Sequence, residues 1–326
     1  MRRDLEHRRL GSTGLKVTEF CLGLLPMSPL QSKLPEETCV EIIRKALDLG
    51  VNFFDTAEMY GSQPYLGKAL QESSGVTRRE IVIATKSTAE TSDEMARSVE
   101  RSLAELDTDY IDIYHLHAAR PSVEVFEQRK GALQRLLDLK RQKVIGAVGI
   151  ATHNVHVAHA VAARDDIDVV FALVNKIGLG IRDGSVDEMV KGMKYAAQQG
   201  KGVYVMKTLA GGNLLKDYQG ALQWARQLEG IHAVSVGVVS LGELLQNLKL
   251  FGVETAETAG ISTEAAVKEK KLFIFEHLCT GCGKCVETCP NGALFLEEEI
   301  ARVDHEKCLL CGYCFPECPD FLIRLI

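Results

Sequence analysis

Eight cysteines in the last 48 residues form two copies of one ligand pattern. The first copy is Cys279, Cys282, Cys285, Cys289 and Pro290, and the second is Cys308, Cys311, Cys314, Cys318 and Pro319. A [4Fe–4S] cube needs four thiolates that converge from short, turning backbone, and two-residue spacers supply three of them from one loop. The repeated pattern therefore predicts two [4Fe–4S] clusters, each of which carries single electrons.

Zinc and disulfides are the competing interpretations of paired Cys-x2-Cys motifs. Zinc does not explain a third cysteine at the same spacing, a fourth three residues later and a proline after it, all repeated. The segment 272–326 resembles the bacterial two-cluster ferredoxins, in which the fourth cysteine of each run binds the other run's cluster. The expected ligands are Cys279, Cys282, Cys285 and Cys318 for cluster one, and Cys308, Cys311, Cys314 and Cys289 for cluster two.

The composition is that of a globular protein, with 46% hydrophobic and 25% charged residues, and the net charge is −6. The charge is concentrated in the cysteine-rich tail, which has nine acidic and four basic side chains from residue 272 onward. Such an acidic module would steer a basic redox protein partner, although acidic side chains also keep a small exposed domain in solution. The chain lacks the basic stripe of a nucleic-acid-binding protein, so no nucleic acid partner is expected.

Two further absences bear on location. No stretch approaches the roughly 20 apolar residues that a membrane span needs, and residues 1–14 are charged, without the apolar region of a signal peptide. Thiolate-bound clusters also fit a reducing compartment. The sequence therefore predicts a cytoplasmic protein with no membrane span.

Eight short apolar runs alternate along the chain with longer amphipathic segments of helical period. The runs are 19–25, 52–56, 81–86, 111–117, 145–150, 169–174, 203–207 and 233–238. Continuous apolar runs are typical of parallel strands buried on both faces. The predicted fold is α/β: a (β/α)8 TIM barrel over residues 1–251, a linker over 252–271, and a small α+β ferredoxin-like iron–sulfur domain over 272–326. A doubly wound open sheet is the alternative, which the lack of a G-x-G-x-x-G after the first strand disfavours.

Four polar residues fall at or just beyond the ends of predicted strands: Asp55, Tyr60, Lys86 and His117. The carboxyl ends of the strands carry the chemistry of such barrels. An ammonium group near a tyrosine lowers the pKa of its hydroxyl, and an aspartate fixes the lysine. The set predicts that Tyr60 donates a proton to a carbonyl oxygen while hydride arrives at the carbon. The competing interpretation makes each residue structural, as a buried ion pair, a packed tyrosine and a core histidine.

Residues 7–251 resemble the aldo-keto reductases. The matching segments are 9–17, Asp55-Thr56-Ala57-x-x-Tyr60-Gly61, Thr85-Lys86, 110–117, 207–212 and Asn247. The resemblance implies hydride transfer between NAD(P)(H) and a small carbonyl or alcohol substrate, with Asp55, Tyr60, Lys86 and His117 as catalytic residues. His115 shares a strand face with His117, and the family match favours His117.

The resemblance also implies nucleotide contacts from Thr152, Asn175, Lys207, Gly211, Gly237, Glu243 and Asn247. Several positions depart from the family pattern. Ala151-Thr152 replaces a Ser-Asn pair, Phe171 replaces a glutamine, and Lys207 replaces an aromatic residue that stacks on the nicotinamide. A carboxylate at Glu243, near the expected 2′-phosphate, is repulsive and predicts that NAD(H) is tolerated at least as well as NADP(H).

Hydride transfer moves two electrons together, whereas each cluster passes one electron at a time. Electron exchange between a nicotinamide and the clusters therefore needs a mediator, and a flavin can transfer either one or two electrons. The favoured function is a carbonyl–alcohol oxidoreductase with a fused ferredoxin module for electron transfer. One alternative is an electron-transfer subunit of a larger redox complex, with the barrel as scaffold. Another is an enzyme whose clusters are structural.

Two smaller features have open interpretations. Arg120 could bind a substrate carboxylate or form a surface ion pair. His153, His156 and His159 recur every three residues, a spacing that suggests a metal site but favours a solvated helix face.

Overall fold

The computed structural model describes residues 5–262 and 270–325. Two short antiparallel strands, β1 (His7–Arg9) and β2 (Lys16–Thr18), come first. Eight parallel strands then close into a barrel: β3 (Phe20–Gly23), β4 (Phe53–Asp55), β5 (Val82–Ser87), β6 (Ile111–Ala118), β7 (Ile145–Thr152), β8 (Val169–Leu173), β9 (Gly202–Met206) and β10 (Ala233–Gly237). β10 pairs with both β9 and β3, which closes the sheet. The predicted TIM barrel is confirmed, with every predicted strand within two residues of its observed bounds.

Helices surround the barrel: α1 (Glu36–Asp48), α2 (Gln63–Glu72), α3 (Ser92–Leu106), α4 (Val125–Gln128), α5 (Lys130–Arg141), α6 (Val155–Val161), α7 (Val186–Gln198), α8 (Tyr218–Gln227) and α9 (Leu241–Leu250). Local sequence sets their starts. Thr91 and Ser185 each accept a backbone hydrogen bond from a glutamate three residues later, and that glutamate bonds back to the cap. Of the helices in residues 5–262 and 270–325, none is both long and apolar enough to cross a membrane.

The core has two layers. Outside the barrel, the strands pack against the apolar faces of the helices, while inside it a smaller cluster includes Phe53, Phe171 and Tyr204. Leu10, in the turn between β1 and β2, joins this inner cluster from the amino-terminal end. Gly11 makes that close approach possible, because a Cβ there would lie 2.4 Å from the backbone of Gly202. The hairpin was not predicted.

The C-terminal domain contains β11 (Leu272–Ile274), α10 (Lys284–Glu287), β12 (Leu294–Glu297), β13 (Ile300–Val303), α11 (Cys314–Glu317) and β14 (Ile323–Leu325). β11 pairs with β14 and β12 with β13, both antiparallel. α9 ends at Leu250 and β11 begins at Leu272, and the predicted linker, residues 252–271, lies between them. Residues 263–269, where the linker was expected to be helical, lie outside the described residues.

This domain sits on the carboxyl-terminal mouth of the barrel. Asp320 lies 3.5 Å from Arg120 Nε and 3.5 Å from Arg182 Nη1, both in loops that follow barrel strands. Gly212, after β9, packs against Leu325 so closely that a Cβ would lie 2.5 Å from the leucine Cβ. The domain therefore forms part of the wall around any site at the strand ends.

Candidate active site and cluster cavities

A buried ion pair lies at the carboxyl ends of β4 and β5. Lys86 Nζ is 2.6 Å from Asp55 Oδ1 and donates a second hydrogen bond to Thr56 O, also at 2.6 Å. Both side chains are almost fully enclosed, with 1% of Lys86 and 4% of Asp55 exposed. Burial raises the pKa of Asp55 and lowers the pKa of Lys86, and their mutual attraction opposes both effects. The pair fixes one ammonium group at the barrel mouth.

Tyr60 and His117 complete the group that the sequence predicted. Tyr60 ends a short 3-10 turn (Glu58–Tyr60) after β4, and its ring centroid lies 5.1 Å from Lys86 Nζ. The rings of Tyr60 and His117 meet edge to face, 6.0 Å between centroids. Burial lowers the pKa of His117 well below its ordinary value, with a further contribution from Lys86, so the imidazole is neutral. The structure thus brings all four residues together.

The pKa of Tyr60 is not lowered as expected. Burial raises it well above its ordinary value, and the charge of Asp55 adds to the increase. The cation that opposes this increase is Arg324, in β14 of the C-terminal domain. The expectation that Lys86 lowers this pKa was wrong, because burial has the largest effect on the hydroxyl and the neighbouring Asp55 carboxylate also raises its pKa. Tyr60 therefore keeps its proton at neutral pH.

Two cavities meet at this group. A long cleft of about 1200 Å³ runs from Asp55 and Tyr60 past the loops after β9 and β10 to Asn247. A second cavity of about 680 Å³ lies between the barrel mouth and the C-terminal domain and includes His117. Tyr60, Lys207 and Arg324 line both. This arrangement suits a long ligand in the cleft and a smaller one in the second cavity, with their ends meeting at Tyr60.

The cysteines of the C-terminal domain surround two further cavities. Cys279, Cys282, Cys285 and Cys318 line one of about 380 Å³, and Cys289, Cys308, Cys311 and Cys314 line another of about 310 Å³. These groups are the two predicted ligand sets, each with one cysteine from the other run. Backbone amides also donate to the sulfurs, as Leu322 N does to Cys318 Sγ at 3.3 Å.

The donors fit iron–sulfur clusters. Within residues 5–262 and 270–325, no three His, Cys, Asp or Glu side chains are grouped tightly enough to bind one metal ion. A [4Fe–4S] cube takes its four thiolates on four different irons, so four thiols spread around a cavity match a cube.

Comparison with known proteins agrees with this geometry. A family model described as the aldo/keto reductase family matches residues 19–223, which is more than half of the chain. The chain belongs to the aldo/keto reductase family. A second model, the 4Fe-4S dicluster domain, matches residues 278–321. The chain is therefore an oxidoreductase that combines an aldo-keto reductase barrel with a dicluster domain.

Individual relatives extend the match. The L-galactose dehydrogenase of Arabidopsis thaliana is 29% identical over 292 residues, which cover 83% of this chain and 89% of the relative. The aldo-keto reductase YhdN of Bacillus subtilis is 28% identical over 186 residues, 53% of this chain and 55% of the relative. A crystal structure of an aldo-keto reductase from Pseudomonas aeruginosa has a TM-score of 0.65 and 27% identity, and covers 76% of this chain and 97% of that chain.

In this aldo-keto reductase, the structure places five of the seven expected nucleotide contacts in the long cleft: Lys207, Gly211, Gly237, Glu243 and Asn247. Thr152 and Asn175 lie elsewhere. The Thr152 hydroxyl accepts from Asn154 N at 3.0 Å, and the Asn175 amide exchanges two hydrogen bonds with the Leu179 backbone. The hydrogen bonds of both side chains therefore stabilise the loops in which they lie.

At the far end of the cleft, Glu243 was expected to present an unpaired carboxylate to the nucleotide, and the structure differs. Glu243 forms an ion pair with Lys270, which also lines the cleft, and accepts a hydrogen bond from Val239 N at 2.9 Å. Asn247 is held by Tyr218, whose hydroxyl donates to its Oδ1 at 2.7 Å. The charge at this end is therefore a balanced pair rather than a lone negative charge.

Sequence reasoning missed several residues around the site. Tyr204 bonds to Asp55 inside the barrel, Arg129 holds the strand ends near His117, and Arg324 reaches the site from the last strand. His153 was expected on a solvated helix face, which is wrong: it precedes α6, is buried, and lies 3.3 Å from Lys207 Nζ. Arg120 forms the surface ion pair with Asp320 that was one of its two interpretations.

Proposed function

We propose that this protein interconverts a small carbonyl compound and an alcohol by hydride transfer with NAD(P)(H), and that its dicluster domain transfers electrons. The observation that carries the proposal is the position of Tyr60, beside the Lys86–Asp55 pair and His117, where the long cleft meets the second cavity. The cleft suits a dinucleotide, and the second cavity suits a small substrate.

A nicotinamide bound in the cleft supplies or accepts the hydride. Tyr60 provides the proton: its raised pKa keeps the hydroxyl protonated until negative charge develops on the substrate oxygen. The neutral His117 imidazole offers that oxygen a hydrogen bond without adding a charge. Lys86 stabilises the developing charge electrostatically, and Asp55 holds its ammonium group in place. The C-terminal domain closes the mouth and limits the entry of water.

Cys279, Cys282, Cys285 and Cys318 would hold cluster one, and Cys289, Cys308, Cys311 and Cys314 cluster two. When bound, such clusters pass single electrons. Pro319, Asp320 and Leu322 line both the second cavity and the cavity of cluster one. One layer of residues thus separates the two, which supports electron exchange between them. Because nicotinamide is a poor one-electron donor, the exchange would need a mediator such as a flavin.

The exposed surface of the C-terminal domain has features that would suit the binding of a redox protein. Leu309 and Tyr313, beside the ligands of cluster two, are 71% and 63% exposed, and the domain is acidic. A basic electron-transfer protein would be attracted to such a surface.

Replacing Tyr60 tests the hydride chemistry. Tyr60→Phe removes the proton donor and should lower kcat for carbonyl reduction by about 10²- to 10⁴-fold, while NADH still binds. Tyr114→Phe is the matched control, because that buried hydroxyl contacts Ser102 rather than the site. Unchanged turnover in Tyr60→Phe would contradict the proposal.

A second candidate is an electron-transfer subunit whose barrel no longer uses a nicotinamide. The positions of Thr152 and Asn175 outside the cleft favour it, because two of the expected nucleotide contacts are then missing. Equilibrium titration separates the candidates: this function predicts reducible clusters together with no binding of NADH or NADPH.

A further inference from the structure

Arg324 is a buried cation at the junction of the two cavities. It is 6% exposed, and its guanidinium carbon lies 3.9 Å from the ring centroid of Phe321. Among the residues that the structure describes, it donates one hydrogen bond, from Nη1 to Ile323 O at 2.8 Å, and no carboxylate lies within ion-pair distance. A guanidinium has five N–H donors, so most of its donors remain free for a ligand.

Lys207 is a second cation at the same junction. Its Nζ lies 3.3 Å from His153 Nε2 and 5.3 Å from the Phe321 ring centroid, and in the described part of the chain it has no carboxylate partner. Its backbone is left-handed, with φ of 59°. Such a conformation costs a lysine about 1–3 kcal/mol and persists where the site needs the side chain in one place.

Other cations at the barrel mouth have acidic partners. Lys86 is paired with Asp55, and Arg120 and Arg182 share Asp320. The charge of Arg324 lowers the pKa of Tyr60, and the charge of Lys207 lowers the pKa of His117, so both cations act on the reacting end of the site. Burial lowers the pKa of Arg324 to about 9 and the pKa of Lys207 well below its ordinary value, since neither group has a counter-ion among the described residues. An anion bound between them would offset this cost and favour the charged form of both groups.

We propose that Lys207 and Arg324 form an anion site for the carboxylate of the substrate, and that the substrate is a small 2-oxo acid or the corresponding 2-hydroxy acid. This inference rests on the proposed function and names its substrate class. The two cations line both cavities next to Tyr60, so an anionic group between them lies beside the reacting carbonyl. Both groups also lie over the Phe321 ring, with Lys207 Nζ at 5.3 Å and the Arg324 guanidinium carbon at 3.9 Å from its centroid. A carboxylate on the carbon next to the carbonyl would place its charge between them, and a guanidinium binds a carboxylate through two parallel hydrogen bonds.

The reaction balances with the groups already named. In the reductive direction the carbonyl carbon gains a hydride, whose source is the reduced nicotinamide, and the carbonyl oxygen gains a proton from Tyr60. The C=O π bond breaks and C–H and O–H bonds form. The carboxylate is unchanged and serves only to hold the substrate.

Binding of a non-reacting acid is the first test. Oxamate and its neutral methyl ester are titrated calorimetrically into the cluster-containing protein with NADH present. We expect oxamate to bind and the ester to bind at least tenfold more weakly. Arg324→Gln and Lys207→Met should each weaken oxamate by about 10- to 100-fold, because each removes a charge-assisted hydrogen bond. Arg324→Lys should retain part of the affinity.

Arg302→Gln is the matched control, because Arg302 belongs to the same domain and pairs with Glu276, but lines neither the long cleft nor the second cavity. Cluster absorbance reports whether each variant has folded. Oxamate affinity that is equal in the parent, Arg324→Gln and Lys207→Met proteins would overturn the proposal.

The second test compares kcat/KM for a 2-oxo acid with that for its methyl ester. Arg324→Gln should lower the ratio of acid to ester, and leave the Kd of NADH unchanged. If instead the variant weakens NADH and leaves the ratio unchanged, the anion is a cofactor phosphate and the proposal is wrong. Turnover of neutral aldehydes with no preference for acids would overturn the substrate class alone. Arg324-dependent oxamate binding without turnover of any carbonyl would support the anion site and contradict the proposed function.

Discussion

The Tyr204 hydroxyl lies 3.0 Å from Asp55 Oδ2, inside the barrel and below the mouth. It donates to that oxygen and accepts from His115 Nε2 at 2.7 Å, which leaves His115 Nδ1 without a partner among the described residues. Lys86 occupies the other carboxylate oxygen. Asp55 is therefore held on both sides, and the position of the Lys86 ammonium depends on a tyrosine in β9.

Removing this hydroxyl should change the pH dependence of activity. The hydrogen bond from Tyr204 stabilises the carboxylate and lowers the pKa of Asp55, against the larger effect of burial. In Tyr204→Phe the pKa of Asp55 rises, so the acidic limb of the kcat/KM profile should move to higher pH. The maximal rate should fall about tenfold, the loss expected for one hydrogen bond to a charged group.

The control for this variant is Tyr114→Phe, which loses a buried hydroxyl on the outer side of the strands. Its pH profile should match that of the parent protein. If the acidic limb of the kcat/KM profile does not move in Tyr204→Phe, ionisation of Asp55 does not determine the pH dependence of activity.

Arg129 should contribute to the stability of the barrel mouth. Its guanidinium donates to three backbone oxygens, those of Ser87 at 2.9 Å, Ala89 at 2.8 Å and His117 at 3.0 Å, and so ties the ends of β5 and β6 together. Arg129→Met leaves these carbonyls unpaired and should lower the free energy of unfolding by about 2–4 kcal/mol. Urea denaturation of the barrel measures this. Arg97→Met, on the exposed face of α3, should change it little, and equal effects of the two substitutions would refute the assignment.

Paired cysteine substitutions test the crossed ligand sets. Cys279→Ser with Cys318→Ser removes two ligands of one cavity and should leave about four of the expected eight irons per chain. Cys279→Ser with Cys289→Ser removes one ligand from each cavity and should affect both clusters. Iron analysis and EPR of anaerobically purified protein distinguish the two patterns. If instead the second pair spared one cluster entirely, each run would bind its own cluster.

The Glu243–Lys270 pair should control the choice between NADH and NADPH. Glu243→Gln removes a negative charge and frees the Lys270 ammonium, so NADPH should gain about fivefold in affinity relative to NADH. Side-by-side titrations of the parent protein should show NADPH bound no more than about tenfold tighter than NADH. A larger preference for NADPH in the parent would contradict the expected tolerance of NAD(H), and an unchanged ratio in the variant would place the 2′-phosphate elsewhere.

Features that depend on short stretches of chain could be predicted. Apolar runs of strand length identified all eight barrel strands, and Asp55 and Lys86 follow at their ends because parallel strands bring their carboxyl ends to one edge. The cysteine pattern predicted which sulfurs share a cavity, since the spacing of each run limits how its loop can turn.

Features that depend on how helices, strands and domains pack together could not be predicted from the sequence. Arg324 lies at the site because the C-terminal domain packs on the barrel mouth. No local sequence pattern predicts that contact between the two domains. Tyr204 lies in an apolar strand, where a tyrosine is an ordinary core residue. Because a buried tyrosine hydroxyl needs a hydrogen-bond partner, its presence inside the barrel could have predicted a polar neighbour there. The pKa of Tyr60 was misjudged because it depends on burial as well as on the neighbouring charges.

Deuterium transfer measures the central claim most directly. The cluster-containing protein is incubated anaerobically with NADH deuterated at C4, in each of its two stereochemical forms, and with a 2-oxo acid and a neutral aldehyde in separate reactions. We predict that one of the two forms delivers deuterium to the carbinol carbon of the product, detected by mass spectrometry, and that Tyr60→Phe abolishes this. Alcohol formed without the label, or no alcohol from any carbonyl while NADH is bound, would contradict hydride transfer at this site.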